Sequence, residues 1–205
     1  LDSKTVIYLS IDLDYWGYST LNSNELPFEL FDRLAQLKVN KTIVLSHEHL
    51  LPHINKHADA FDMLVNVDFH SDLCSYDDKY PNFECNEGTW GNFVRASLNK
   101  RFIWSPPHKG CIDHSCGYCH GETYPNPFST KRRKVDPKVS GWQEATIQVA
   151  YIPELSECAA VGISLSPLWT EVNTLRNFAI WHKQYAGQFE LGRGVKTSLK
   201  AALTN

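Results

Sequence analysis

The sequence predicts an α/β fold, a three-layer αβα arrangement around a mainly parallel sheet, in a single domain over 1–205. Three observations carry this prediction. Near-continuous apolar runs rich in β-branched residues recur, as strands covered on both faces require. Helix-period segments follow them through short connections, which favours parallel, right-handed crossovers. Polar clusters stand where the apolar runs stop, the place where open parallel sheets gather ligands.

In chain order, "TVIYLSID" (5–12) reads as the first buried strand. "SNELPFELFDRLAQL" (23–37) spaces Phe28, Phe31, Leu34 and Leu37 by threes and reads as a helix. "KTIVLSHEH" (41–49) is a second strand, "LLPHINKHADAF" (50–61) a short helix and "MLVNVDFH" (63–70) a third strand. The stretch 71–140 changes character: Pro, Gly, Asn, Cys and aromatic residues dominate, with one helical segment near "WGNFVRASLNKRF". Within it, 105–140 reads as a long loop insertion or lid. "ATIQVAYI" (145–152) and "CAAVGISLS" (158–166) are two further strands, and "EVNTLRNFAIWHKQY" (171–185) is a terminal helix. The closing residues, "GRGVKTSLKAALTN" among them, read as a frayed tail.

Composition sets bounds on function. Net charge is −3 and the pI is near 6.3, so nothing global points to nucleic acid or an acidic membrane. The basic run "KRRK" (131–134) reads as a solvated loop in this acidic setting. No apolar run approaches the roughly 18 residues of a membrane span, and no secretory leader is read at the start. The expectation is a cytoplasmic protein with reduced thiols.

Three clusters carry chemistry. "SIDLDYW" (10–16) sets Asp12 and Asp14 one residue apart at a strand end. Two carboxylates there repel unless an arginine, a helix N-terminus or a metal ion lies between them. In "VDFHSDL", Asp68, His70 and Asp72 fall at i, i+2 and i+4, so on a strand three ligand-type side chains converge. Chance supplies roughly 0.03 D-x-H-x-D matches in such a chain against roughly 0.7 D-x-D matches, so the triplet leads and the pair joins it. "SHEHLLPH" holds His47, Glu48, His49 and His53; His49 is read as the site residue, His53 and His57 as solvated on the following helix. Four carboxylates with two imidazoles suit Mn²⁺, with Fe²⁺ or Zn²⁺ as alternatives. Two ions roughly 3.5–4 Å apart would neutralise the cluster and supply a hydroxide nucleophile near neutral pH.

These residues resemble the metal motifs of the arginase–deacetylase superfamily, which uses D-x-H-x-D, a D-x-D strand end and a histidine from a preceding strand. "SHEHL" ahead of "VDFHSD" is similar in its spacing, and "DLDYW", "EGTWGNF" and "ISLSP" resemble the arginase-like branch that includes peptide arginases. The order is permuted: D-x-D comes first here and last in arginases. Trp90 also stands in "EGTWGNF" where a typical arginase has a histidine. The resemblance implies an arginase-like fold, two Mn²⁺ ions and a ureohydrolase converting arginine to ornithine within peptides. It implies Asp68 and Asp12 as bridges, Asp72 and His49 on one ion, and His70 and Asp14 on the other.

For such a reaction, Asp72 is the expected proton relay, with Asp14 as second candidate. Asp77, Asp78, Glu87 and Glu171 would form an acidic rim welcoming a guanidinium, with Trp90 beside them and Glu171 as the carboxylate that grips it. The substrate is expected to be an arginine-containing peptide or a small guanidino compound. A second set of ligands lies in "HKGCIDHSCGYCHG", where Cys111, His114, Cys116 and Cys119 could close a structural Zn²⁺ site, with a disulfide or free thiols as alternatives. Two competing readings remain: a one-zinc amide hydrolase of deacetylase type, and a non-enzymatic binding module held by zinc in the Cys-rich loop.

Overall fold

The computed structural model describes residues 5–17, 26–70, 94, 98–107 and 145–204. Among them, seven parallel strands form one sheet in the order β5-β4-β3-β1-β6-β2-β7. The strands are β1 (Ile7–Asp12), β2 (Asn40–Val44), β3 (Met63–Val67), β4 (Arg101–Ser105), β5 (Ala145–Ile147), β6 (Cys158–Ser164) and β7 (Glu190–Leu191). The helices are α1 (Asp14–Gly17), α2 (Phe28–Gln36), α3 (Leu51–Lys56), α4 (Val172–Gln184) and α5 (Val195–Thr204), with a 3-10 turn at His47–Leu50 leading into α3.

Every residue of β1 and β3 is buried, which accounts for their unbroken apolar reading. β1 lies at the centre, with Leu9 opposite Val65 of β3 and Val161 of β6. One face carries the larger core: Ile7, Leu9 and Ile11 meet Phe31 and Leu34 of α2, Phe178 of α4, and Val195 and Leu199 of α5. The other carries a smaller core, in which Tyr8, Leu64 and Phe102 meet Leu50 and Ile54. The sides agree with right-handed crossovers. β1 to β2 and β6 to β7 run one way across the sheet and put their helices on the larger core, while β2 to β3 runs back and puts its helix on the smaller. The chain is thus a three-layer α/β fold.

Several expected elements shift. The strand expected over 41–49 ends at Val44 and gives way to the 3-10 turn, and the helix over 50–61 shortens to Leu51–Lys56. Residues 101–105, of which 101 and 102 were expected in a helical segment and 105 in the loop insertion, form β4 beside β3. The expected frayed tail is ordered: β7 pairs with β2, and α5 buries Val195 and Leu199. The loop insertion or lid expected over 105–140 lies outside the described residues apart from 105–107. Lys41 is 6% exposed, and its Nζ caps the end of α2 by donating to the carbonyls of Ala35 and Leu37. Among the described residues, no helix is long and apolar enough to cross a membrane.

Candidate metal centre

β1 and β3 are neighbours whose outgoing connections part, β1 towards β2 on one flank and β3 towards β4 on the other. A crevice opens at the carboxyl ends of such a pair. Asp12 ends β1, Asp14 begins α1, and Asp68 follows β3 directly. Alternation puts Tyr8, Ser10 and Asp12 on one face of β1, the face of the smaller core.

Three carboxylates meet there with almost no solvent: Asp12 is 4% exposed, Asp14 1% and Asp68 1%. Each is oriented by the chain around it. Asp12 Oδ1 accepts the Asp14 backbone N–H at 3.1 Å, and Oδ2 accepts the Ser166 hydroxyl at 2.5 Å. Asp68 Oδ1 accepts the His70 backbone N–H at 2.8 Å, and Oδ2 accepts Asn66 Nδ2 at 3.0 Å. The carbonyl of Asp68 accepts the Trp104 indole N–H at 3.0 Å, tying the strand end to β4.

Two imidazoles complete the group. His47 Nδ1 lies 3.0 Å from Asp68 Oδ2 and 3.3 Å from Asp12 Oδ2, and His70 Nδ1 lies 3.0 Å from Asp14 Oδ2. His47 Nε2 is 3.1 Å from Ser10 Oγ. With Nε2–H donated to Ser10, Nδ1 is left as the lone-pair nitrogen facing the carboxylates, the arrangement that ligating histidines adopt.

The electrostatics match. Burial, then the Asp14 charge, pushes the Asp12 carboxyl well above its ordinary range, against the pull of His47. Burial, then the Asp68 charge, raises Asp14 from 3.8 to about 6. Buried carboxyls that repel one another are stabilised by a cation among them.

The donor atoms fit divalent ions. Ligand atoms of Asp12, His47 and Asp68 lie within 4.8 Å of one another, as do those of Asp14, Asp68 and His70, and Asp68 is common to both groups. Asp14 Oδ1 is buried and has no hydrogen-bond partner among the described residues, so a lone pair stands ready. Carboxylate oxygens with one imidazole in each group suit Mn²⁺, Fe²⁺ or Zn²⁺.

Of the residues expected at the site, Asp12, Asp14, Asp68 and His70 come together here. His49 does not. It is exposed, with Nδ1 3.1 Å from Ser46 Oγ, and His47 takes the position expected of it. Asp12 belongs to one group only, not to both as a second bridge would. His53, expected to be solvated, is buried beside Tyr8. Glu171 is the exposed residue preceding α4, and its side chain makes no capping bond. Asp72, Asp77, Asp78, Glu87, Trp90 and the zinc candidates Cys111, His114, Cys116 and Cys119 lie outside the described residues. Cys158 is a free, buried thiol, which burial pushes up to about 12. Ser10, Asn66 and Ser166, which orient the ligands, were not read from the sequence as site residues; the serine-rich strand end "ISLSP" was the available signal for Ser166. No family model matches the chain, and neither any curated protein nor any solved structure does.

Proposed function

We propose that the chain is a binuclear metal-dependent hydrolase of C–N bonds, a ureohydrolase acting on arginine side chains in peptides. The observation that carries this reading is the pair of buried ligand groups meeting at Asp68. Asp12, His47 and Asp68 would hold one ion, and Asp14, Asp68 and His70 the other, with Mn²⁺ the preferred metal. When bound, such ions lower the pKa of water and supply a nucleophile near neutral pH, which a resonance-stabilised guanidinium carbon requires. The chain's own residues set the geometry: Ser10 orients His47, Ser166 and the Asp14 backbone orient Asp12, and Asn66 and the His70 backbone orient Asp68. Asp72 would relay the proton to the departing amine, with Asp14 as second candidate. Glu171 is the candidate partner for the guanidinium. The resemblance to peptide arginases supplies the reaction type.

The test is elemental analysis after Mn²⁺ reconstitution, followed by urea assay on arginyl peptides, free arginine and agmatine. Two ions per chain with urea released, and both lost in Asp68→Ala, is the expected result. Two bound ions with no urea from any substrate would turn the reading to amide hydrolysis. No bound ion would end it.

A further inference from the structure

We propose that the turn joining β6 to α4 is a specificity element of this site: Leu168 and Trp169 form an apolar shelf that receives a hydrophobic side chain next to the reacting arginine. The proposal rests on the ureohydrolase reading and narrows its substrate to arginine in an apolar sequence context.

The turn is tied at its base to the metal centre. Ser166 donates its hydroxyl to Asp12 and its backbone N–H to the Leu45 carbonyl at 2.7 Å. Its φ of 40° lies in the left-handed region, a conformation that a residue with a side chain holds only when its surroundings impose it. The backbone N–H groups of Trp169 and Thr170 both donate to the Ser166 carbonyl, at 2.8 and 2.9 Å, and the Thr170 hydroxyl donates to Leu165 at 2.8 Å. A turn with this many internal bonds holds its tip in place.

The tip inverts the usual chemistry of a turn. Pro167, Leu168 and Trp169 are all exposed, Leu168 to 88% and Trp169 to 39%, while the polar Thr170 is buried. A run of exposed apolar residues is unfavourable in water unless function needs it. The Trp169 ring meets His70 edge to face, with centroids 5.6 Å apart, so the shelf begins one ring away from a candidate ligand. Val172, 57% exposed at the start of α4, follows it in the chain. With a guanidinium over the carboxylates, the rest of an arginyl peptide would leave the centre past this surface. A small guanidino solute could not use it.

The experiment compares two arginyl pentapeptides, one with leucine on both sides of arginine and one with serine. Binding is measured by calorimetry on metal-free protein, and urea release on the Mn²⁺-loaded protein. Wild type should bind and process the leucine peptide about tenfold better, the effect of burying one large aliphatic side chain, with the difference in KM and not in kcat. Leu168→Ser and Trp169→Ala should bring the ratio to about one, whereas Ile180→Ser, an equally apolar exposed position further along α4, should leave it alone. Equal handling of both peptides by wild type overturns the shelf and leaves the ureohydrolase reading intact. A binding preference that disappears in Leu168→Ser, with no urea from either peptide, supports the shelf and overturns the reaction. No binding of either peptide overturns the shelf. Should wild type prove dimeric and Leu168→Ser monomeric with the peptide ratio unchanged, the shelf is likewise overturned, in favour of a second copy as the occupant.

Discussion

His53 Nδ1 lies 2.8 Å from the Tyr8 hydroxyl, and its Nε2 is buried without a partner among the described residues. Burial, then the neighbouring His57 and Lys56 charges, lowers it from 6.5 to about 4. The folded ring therefore stays neutral while the unfolded ring takes up a proton below about 6.5. The unfolded state binds more protons in that window, so stability present above about pH 6.5 is lost as pH falls towards 4. Denaturant unfolding at pH 7, 6, 5 and 4.5 should show stability shifting less favourably in wild type than in His53→Gln as pH falls, a comparison that cancels the opposite contribution of the raised Asp12 and Asp14 carboxyls; parallel curves would contradict it. The same scale separates His47 from His49. Reading 41–49 as a strand places both on one face by alternation. The backbone instead turns into a 3-10 helix, where residues three apart share a face, so His47 and Leu50 go inward and His49 outward. His47→Ala should weaken metal binding by at least about tenfold, as losing a ligand or its support does, while His49→Ala leaves it within about twofold. The reverse order in a metal titration would restore the sequence-level assignment. Asp68 and His70 were legible because D-x-H-x-D is rare by chance, and Asp12 and Asp14 only by joining them. His47 was not, because nothing in the residues themselves marks where a strand gives way to a turn.

Among the elements, β6 shows how small residues make room for a functional segment. A Cβ at Gly162 would lie 2.6 Å from Leu50 Cδ2 and 2.7 Å from the Tyr8 hydroxyl. Leu50 belongs to the turn that carries His47, so the missing side chain lets that turn approach the sheet. Gly162→Ala should cost about 1–3 kcal/mol, the usual effect of overfilling a packed core, and should loosen metal binding by displacing His47. Urea unfolding and metal titration on one preparation test both effects; a stability loss with metal affinity intact would show the turn yielding without moving the ligand. β1, β3, β6 and α4 were readable from unbroken apolar runs or a clear helical period. β4 was missed because "RFIWS" adjoins a stretch of helical character, and pairing with β3 decides its state. α5 was missed although Val195, Leu199, Ala202 and Leu203 keep a helical spacing; what orders it is the docking of Val195 and Leu199 onto the larger core.

At the scale of the whole molecule, the strand order explains why the polar clusters converge. Alternating strands and helices in the sequence imply a parallel sheet, but they leave open which strands are neighbours. The neighbours, β3-β1-β6, are what bring Asp12, Asp68 and Ser166 to one crevice. That order has a consequence for how the protein is made. The central strand leaves the ribosome first of the seven, yet gains its second neighbour only with β6, Cys158–Ser164. Until then β1 has an open edge, and Asp12 lacks the hydroxyl that orients it. Contacts so distant in sequence also slow folding into the range of roughly milliseconds to seconds. A chain stopped after Glu157 should therefore be protease-sensitive and lose on gel filtration the Mn²⁺ that residues 1–205 are proposed to hold; tight binding by the shortened chain would refute this. Metal capture would thus report that β6 has docked, because a copy without it has the ligands without the frame that aims them.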